Sequence, residues 1–234
     1  MATHDLLYEG KAKKVWGTAE PHEVAMEFKD DATAQNGLKR GQILDKGRVN
    51  ARVTALLFDY LGTEGLPTHF IRQLDERTLL VRRLGMIPLE VIVRNVVAGS
   101  LHARTGILEG TELSAPLVEI YYKNDALGDP LFNDEHVAMM DAASPEELSR
   151  MKDMARSVNR HLQSFFLARR LILVDFKLEF GKIGSELILG DEITPDTCRL
   201  WDADTKKKLD KDRFRQDLGG VEDAYHEVLR RVEL

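Results

Sequence analysis

Asp175, Lys177 and Glu179 stand at alternate positions of the run Leu171-Ile-Leu-Val-Asp-Phe-Lys-Leu-Glu-Phe-Gly181. Apolar and charged residues alternate after Val174, as in a half-buried strand, so the three charges share one face. A row of acid, base and acid is costly to desolvate unless solvent, a ligand or the charges themselves compensate. The row is therefore either a solvated face, with Lys177 bridging Asp175 and Glu179, or part of a site that grips a ligand. The next segment, Gly184-Ser-Glu-Leu-Ile-Leu-Gly-Asp191-Glu192, can fold back as a hairpin partner and bring Asp191 alongside Glu179. Two carboxylates converging with no cation between them in the local sequence suit Mg2+, which takes few protein carboxylates and completes its octahedron with water and nucleotide phosphates.

Two further segments carry chemistry. Tyr8-Glu-Gly-Lys-Ala-Lys-Lys-Val15 places three lysines within four positions beside Gly10 and Ala12, and its backbone and ammonium groups could cover phosphates. It satisfies neither the P-loop pattern nor the Gly-x-Gly-x-x-Gly fingerprint, and a solubilising turn would have the same composition. Pro88-Leu-Glu-Val-Ile-Val-Arg-Asn-Val-Val-Ala-Gly-Ser100 puts Glu90 and Arg94 on one strand face and ends where Ser100 can cap a helix starting at Leu101. Free N–H groups at such a start favour a phosphate, and Arg94 adds bidentate recognition. The plainer alternative is an N-cap and a surface arginine.

These segments need elements to hold them. Leu7-Tyr8, Val15-Trp16 and the alternating Val24, Met26 and Phe28 predict an N-terminal β-meander. Val49, Val53, Leu56, Leu57, Tyr60 and Leu61 recur at helical spacing over residues 46–61, with Gly62 in the place of a C-terminal cap. Strands follow at His69-Phe70-Ile71 and Leu79-Leu80-Val81-Arg82. Gly85-Met86-Ile87-Pro88 is then expected to break the pattern before a strand over Leu89 to Val97, which places a domain junction near Met86. Ser144-Pro145-Glu146-Glu147 combines an N-cap, proline at the first helical position and a capping glutamate ahead of a long apolar periodicity. A last helix uses Val221, Tyr225, Val228, Leu229 and Val232, set off by Gly219-Gly220. Sheets with segregated helices make the class α+β, with residues 1–86 and 87–234 as its two regions.

Composition narrows the partners. The 234 residues are 43% apolar and 31% charged, an ordinary globular balance. A net charge of −6 argues against general nucleic-acid affinity, so an anionic ligand must meet a local basic cluster. No segment approaches the roughly 20 apolar residues of a membrane span, and a lone cysteine, Cys198, fits a reducing, cytoplasmic setting. The histidines are too scattered for a metal site, and Cys198 and Trp201 beside Arg199 are expected to pack rather than react. The polar loop Lys123 to Pro130 is either a mobile surface loop or one that orders over substrates, with Asp129 as the contact.

Taken together, these stretches resemble the SAICAR synthetase (phosphoribosylaminoimidazole-succinocarboxamide synthase) family over essentially the whole chain. Leu7 to Val15, Pro88 to Arg94 through Ala98-Gly-Ser100, Leu173 to Gly181, and Gly190-Asp-Glu-Ile-Thr-Pro-Asp-Thr-Cys-Arg-Leu-Trp-Asp202 all look like family signatures in the right order. The resemblance implies two α/β regions with antiparallel sheets, related to ATP-grasp ligases, around an interdomain ATP cleft. It implies that Lys11, Ala12, Lys13 and Val15 line the phosphate and ribose side. Val81, Arg82 and Met86 would then hold the adenine, Arg82 mainly through its backbone. Glu90, Arg94, Ser100, Asp175, Lys177 and Arg199 would meet an imidazole nucleotide, 5-amino-1-(5-phosphoribosyl)imidazole-4-carboxylate (CAIR), which is joined to L-aspartate. Catalysis would fall to Lys13 and Lys177, with Mg2+ on Glu179 and Asp191, in a cytoplasmic homodimer. A small-molecule kinase or a noncatalytic nucleotide-binding regulator would use the same phosphate and metal groups.

Overall fold

Val24, Met26 and Phe28 turn one face of an antiparallel sheet inward in a computed structural model that describes residues 5–34 and 37–234. β1 (Leu6–Glu9), β2 (Lys13–Gly17) and β3 (Glu23–Phe28) form the expected meander. β4 (Asp31–Ala34) and β5 (Lys39–Gln42) make a separate two-stranded hairpin, and α1 (Lys46–Thr63) follows. β6 (Phe70–Gln73) and β7 (Thr78–Arg82) complete a sheet of order β1-β2-β3-β7-β6. Then come β8 (Gly85–Val96), α2 (Gly99–Thr105), β9 (Glu112–Tyr122), a 3-10 turn at Asp125–Leu127, β10 (Leu131–Phe132), α3 (Asp134–Met139) and α4 (Pro145–Leu167). β11 (Leu171–Ile183), β12 (Glu186–Gly190) and β13 (Cys198–Asp202) precede α5 (Asp212–Arg215) and α6 (Val221–Val232). The second sheet has the order β10-β9-β8-β11-β12, with β13 also on β11, and every strand pair in both sheets is antiparallel. The class is α+β, as expected.

The helix α1 is buried on nearly all sides rather than amphipathic. Ala51 and Ala55 pack on Val24, Met26, Leu79 and Val81 of the first sheet, while Val49, Val53, Leu57 and Leu61 join the core of the second. Its small residues permit that close fit: a Cβ on Gly47 would strike the Phe28 carbonyl and the Arg77 guanidinium. Between the sheets, α1 fixes the N-terminal strands against β8 and β11.

Three expectations about elements need correction. The helix runs through Gly62 to Thr63, and the left-handed turn falls at Gly65 instead. Gly85 to Pro88 does not break the chain but belongs to β8, where Gly85 and Met86 pair with Lys182 and Gly181 of β11. The pairing shifts register between Glu90 and Met86, so Pro88 occupies an irregularity in which its missing N–H costs no ladder bond. Ser100 does not cap α2. It lies in the first turn, after Ala98 at the N-cap.

The α4 start is as expected: Ser144 Oγ accepts from Glu147 N at 3.1 Å and Glu147 Oε2 accepts from Ser144 N at 2.9 Å. Ser144→Ala is expected to lower unfolding free energy by about 1 kcal/mol in urea titration, because one first-turn N–H then has only water. An unchanged midpoint would mean that the packed face alone sets the helix start.

Candidate active site

β11 is the central strand of its sheet, and its charges are more enclosed than a half-buried strand would make them. Flanked by β8, β12 and β13, it leaves Asp175 4% and Glu179 2% exposed. The solvated-face alternative therefore fails for these two acids, which need partners.

The partners of Asp175 come from both neighbouring strands. Asp175 pairs in register with Arg94 on β8 and Arg199 on β13, and each donates Nη1 to it at 2.9 Å. Arg94, 1% exposed, is not a surface arginine: its Nε reaches Glu119 at 2.8 Å and its Nη2 reaches Ser100 Oγ at 2.9 Å. Its fork is thus held by carboxylates, while Ser100 stands exposed at the cavity edge and Arg199 spends Nε on Asp212 at 2.9 Å. Gly99 lets this arginine in. A Cβ there would collide with the Arg199 guanidinium, and φ of +51° is a conformation that glycine adopts freely.

Lys177 does not bridge Asp175 and Glu179. Its Nζ bonds Glu90 at 2.7 Å and Glu179 at 2.8 Å, two acids that face each other across β8 and β11. Burial alone would push the Lys177 ammonium down, but Glu179, Glu90 and Asp191 outweigh it and hold the pKa well above the ordinary lysine value. Lys123, at the end of β9, takes the other Glu179 oxygen.

The β11–β12 hairpin forms as expected, with Gly190 opposite Glu179 and Asp191 just beyond. Asp191 adopts φ of +57°. The cation missing from the local sequence arrives from β2: Lys13 Nζ contacts Asp191 Oδ1 at 2.5 Å and Glu192 Oε1 at 2.8 Å. Burial opposes both charges. The lysines Lys13, Lys177 and Lys123 nevertheless hold Asp191 far below the usual carboxylate range, and Asp191, Glu192 and Glu179 hold Lys13 above its own. Behind them, His69 is buried and pushed down to about 4, so it is neutral at pH 7, with Nε2 3.1 Å from the Asp191 carbonyl. Cys198 is buried, and burial raises its thiol pKa, which makes it a packing residue.

Two cavities open on these groups. The larger, about 890 Å³, has Lys11, Ala12 and Lys13 on one wall and Glu90, Lys177, Glu179 and Asp191 on another, with Asp129 at the rim. The smaller, about 360 Å³, is lined by Arg94, Ser100, Asp175, Lys177 and Arg199. Lys177 belongs to both. Val15, Val81, Arg82 and Met86 lie outside these linings: Val15 packs on the first sheet's core, Val81 is within it, Arg82 donates to the Thr68 carbonyl at 2.5 Å, and Met86 is half exposed near Gly190. The loop after β9 is folded over the site by an ion pair from Asp125 to Lys11 at 2.6 Å, with Asp129 Oδ1 accepting from Asn124 N.

Sequence reasoning missed several lining residues. Lys123, Glu192, Lys211, Arg215 and the β4–β5 hairpin with Thr33 and Arg40 all face the larger cavity. Glu192 adjoins Asp191, and Lys211 and Arg215 are four positions apart in a basic run, a weak helical signal that only the fold aims inward.

Among the described residues no three acidic, cysteine or histidine side chains cluster as a metal cage, and none crosses a membrane as a long apolar helix. The donor set nevertheless fits Mg2+: two hard carboxylates line one cavity, Asp191 Oδ2 accepts no hydrogen bond from the described residues, and this ion takes the rest of its shell from water and phosphate.

The chain is also similar to known proteins along its length. Residues 6–232 match the sequence model described as SAICAR synthetase. The chain is 55% identical over 227 residues to the phosphoribosylaminoimidazole-succinocarboxamide synthase of Chlorobaculum parvum, covering 97% of each. Among solved structures, that of the same enzyme from Ehrlichia chaffeensis superposes with a TM-score of 0.96 at 42% identity over 98% of each chain. A SAICAR synthetase in complex with ADP gives 0.94 at 47% identity over 96% of each. The chain belongs to the SAICAR synthetase family.

Proposed function

We propose that the chain joins CAIR to L-aspartate at the expense of ATP, giving SAICAR, ADP and phosphate in purine synthesis. Full-length similarity to ligases supports this reading over a kinase or a noncatalytic regulator. The observation that carries it is Lys177, which faces both a cavity rimmed by the lysine-bearing turn and acids and a cavity rimmed by two arginines and Ser100. A carboxylate in the smaller cavity and a phosphate in the larger one would meet at that ammonium.

An amide does not form from a carboxylate and an amine in neutral water, because the carboxylate resists nucleophiles. In the proposed path a CAIR carboxylate oxygen attacks the γ-phosphorus and the bond to the β-phosphate oxygen breaks, leaving an acyl phosphate and ADP. The aspartate amine, having lost a proton, attacks the acyl carbon; phosphate leaves and the nitrogen loses its second proton. Lys177 brings the attacking carboxylate toward the phosphate and offsets their repulsion, and Lys13 draws charge from the transferred group. Ser100 and Arg199 hold the nucleotide's own phosphate, with Arg94 fixing Ser100 and Asp175 fixing Arg199 from behind. Glu90 keeps Lys177 charged and aimed. Lys11, Ala12 and Val15 serve the phosphate and ribose, Val81, Arg82 and Met86 the adenine, and Asp129 the closing loop.

Mg2+ on Glu179 and Asp191 would supply charge neutralisation at the phosphates. Lys123, whose side chain is 44% exposed, is the Glu179 partner free to withdraw to water when that carboxylate is needed. Residues 1–86 cover the nucleotide and 87–234 carry the substrate groups in this reading, which also makes the protein a cytoplasmic homodimer, in keeping with the family resemblance.

A coupled ADP assay with each substrate omitted in turn tests the reaction. ADP is expected only with ATP, CAIR and aspartate together, or at reduced yield without aspartate if the acyl phosphate is released. ADP formation independent of CAIR would end the proposal.

A further inference from the structure

His69 is the one buried histidine among the described residues, 5% exposed, and the path above gives it no part. It lies outside both cavity linings. Its contacts are nevertheless specific. Nε2 stands 3.1 Å from the Asp191 carbonyl oxygen, the backbone N–H donates to the Leu189 carbonyl at 2.9 Å, and the His69 carbonyl accepts from Arg82 N at 2.7 Å. One residue between α1 and β6 thus ties together the end of β12, the turn at Asp191 and the last residue of β7.

This arrangement fixes the tautomer. A carbonyl oxygen only accepts, so Nε2 carries the proton and donates it. The ring is also held in place. Its edge meets Phe58 of α1, with centroids 5.4 Å apart at 69°, and Thr68 bridges in parallel to Leu189, whose N–H donates to the Pro67 carbonyl at 2.9 Å. The donor is therefore set before any ligand arrives.

Asp191 needs such a fixture. Its φ of +57° is a conformation that a residue with a Cβ keeps only when its surroundings determine it. In that turn His69 takes the carbonyl and Lys13 takes Oδ1 at 2.5 Å, while Oδ2 accepts no hydrogen bond from the described residues. Lys13 holds only the side chain. Without His69 the backbone that carries the carboxylate loses its one side-chain donor among the described residues.

We propose that His69 is a positioning residue for Asp191: by donating from Nε2 to the Asp191 carbonyl, it fixes the turn that aims Oδ2 at a divalent ion shared with the nucleotide phosphates. The inference rests on the reading of Asp191 as a Mg2+ ligand. His69 itself touches neither ion nor substrate.

The test is calorimetric titration of ADP into the wild-type protein, His69→Phe and His69→Gln, each with and without Mg2+. Phenylalanine keeps an aromatic edge against Phe58 and removes the donor, whereas glutamine returns an N–H donor near the place of Nε2. Loss of one neutral hydrogen bond predicts that ADP affinity in Mg2+ falls about 3- to 10-fold in His69→Phe. Affinity without Mg2+ should stay within about twofold, and His69→Gln should recover most of the loss. Equal weakening with and without Mg2+ would make His69 part of the nucleotide cover and overturn the proposal, as would unchanged affinity in both. Should the variants fail to fold, the wild-type protein still decides. Proton–nitrogen spectra of histidine-labelled protein should show one slowly exchanging imidazole proton, on Nε2, whose shift moves when ADP is added with Mg2+ and holds still with ADP alone. A protected proton on Nδ1, or no response to the ion, would overturn the proposal. Wild-type affinity for ADP that ignores Mg2+ would instead remove the ion from Asp191 and take the inference with it.

Discussion

Lys177→Met is expected to lower kcat by on the order of 10²-fold or more, with the KM for ATP little changed, because its ammonium acts where charge gathers between two anions. The structure sharpens why. Lys177 touches both cavities and is held by Glu90 and Glu179, so its position is set before substrates arrive. A competing account makes it only a bridge that neutralises two opposed glutamates. The accounts diverge in the measurement. A bridge is felt in stability, since its removal leaves like charges facing each other, but an intact folded fraction would then turn over normally. Thermal unfolding followed alongside single-turnover rates separates them, and wild-type rates in folded Lys177→Met would leave Lys177 a structural residue.

Much of this site was legible because strand geometry is periodic. Asp175, Lys177 and Glu179 at two-residue spacing had to share a face, and Glu90 and Arg94 likewise on β8. The two rows then meet because β8 and β11 pair, Asp175 against Arg94 and Glu179 against Glu90. The hairpin to Asp191 was readable for the same local reason. What periodicity could not convey was enclosure. A strand alternating apolar and charged residues reads as half-buried, yet β11 is flanked by strands on both edges and its charges are hidden beneath other charged residues. Partners such as Lys13 for Asp191, 178 residues apart, are set by the stacking of the sheets and have no local signature. The β4–β5 hairpin escaped notice since Asp31-Ala-Thr-Ala34 and Lys39-Arg-Gly-Gln42 lack the bulky alternating residues that mark a strand. The same holds for Gly85 to Pro88, where glycine and proline suggested a break and the fold used a register shift.

Asp191→Asn is expected to abolish most magnesium-dependent turnover, with the Mg2+ concentration for half-maximal rate raised at least about tenfold. Asparagine tolerates the left-handed backbone at this position, so the change removes charge while sparing the turn. Glu179→Gln should act in the same direction but is the less clean experiment. Glu179 is not a solvated carboxylate: at 2% exposure it holds Lys177 and Lys123, and its neutralisation unbalances both. Those lysines keep a path to solvent, with side chains 26% and 44% exposed, so the destabilisation should fall short of the about 3–5 kcal/mol typical of a broken fully buried pair. The pair of variants is therefore more informative than either alone. If Asp191 serves only to fix Lys13, then Asp191→Asn should weaken nucleotide binding and leave its magnesium dependence identical to that of the wild type. If the two acids share the ion, both variants should shift that dependence, and the double variant should add little to the larger single effect, since the second ligand has nothing left to hold.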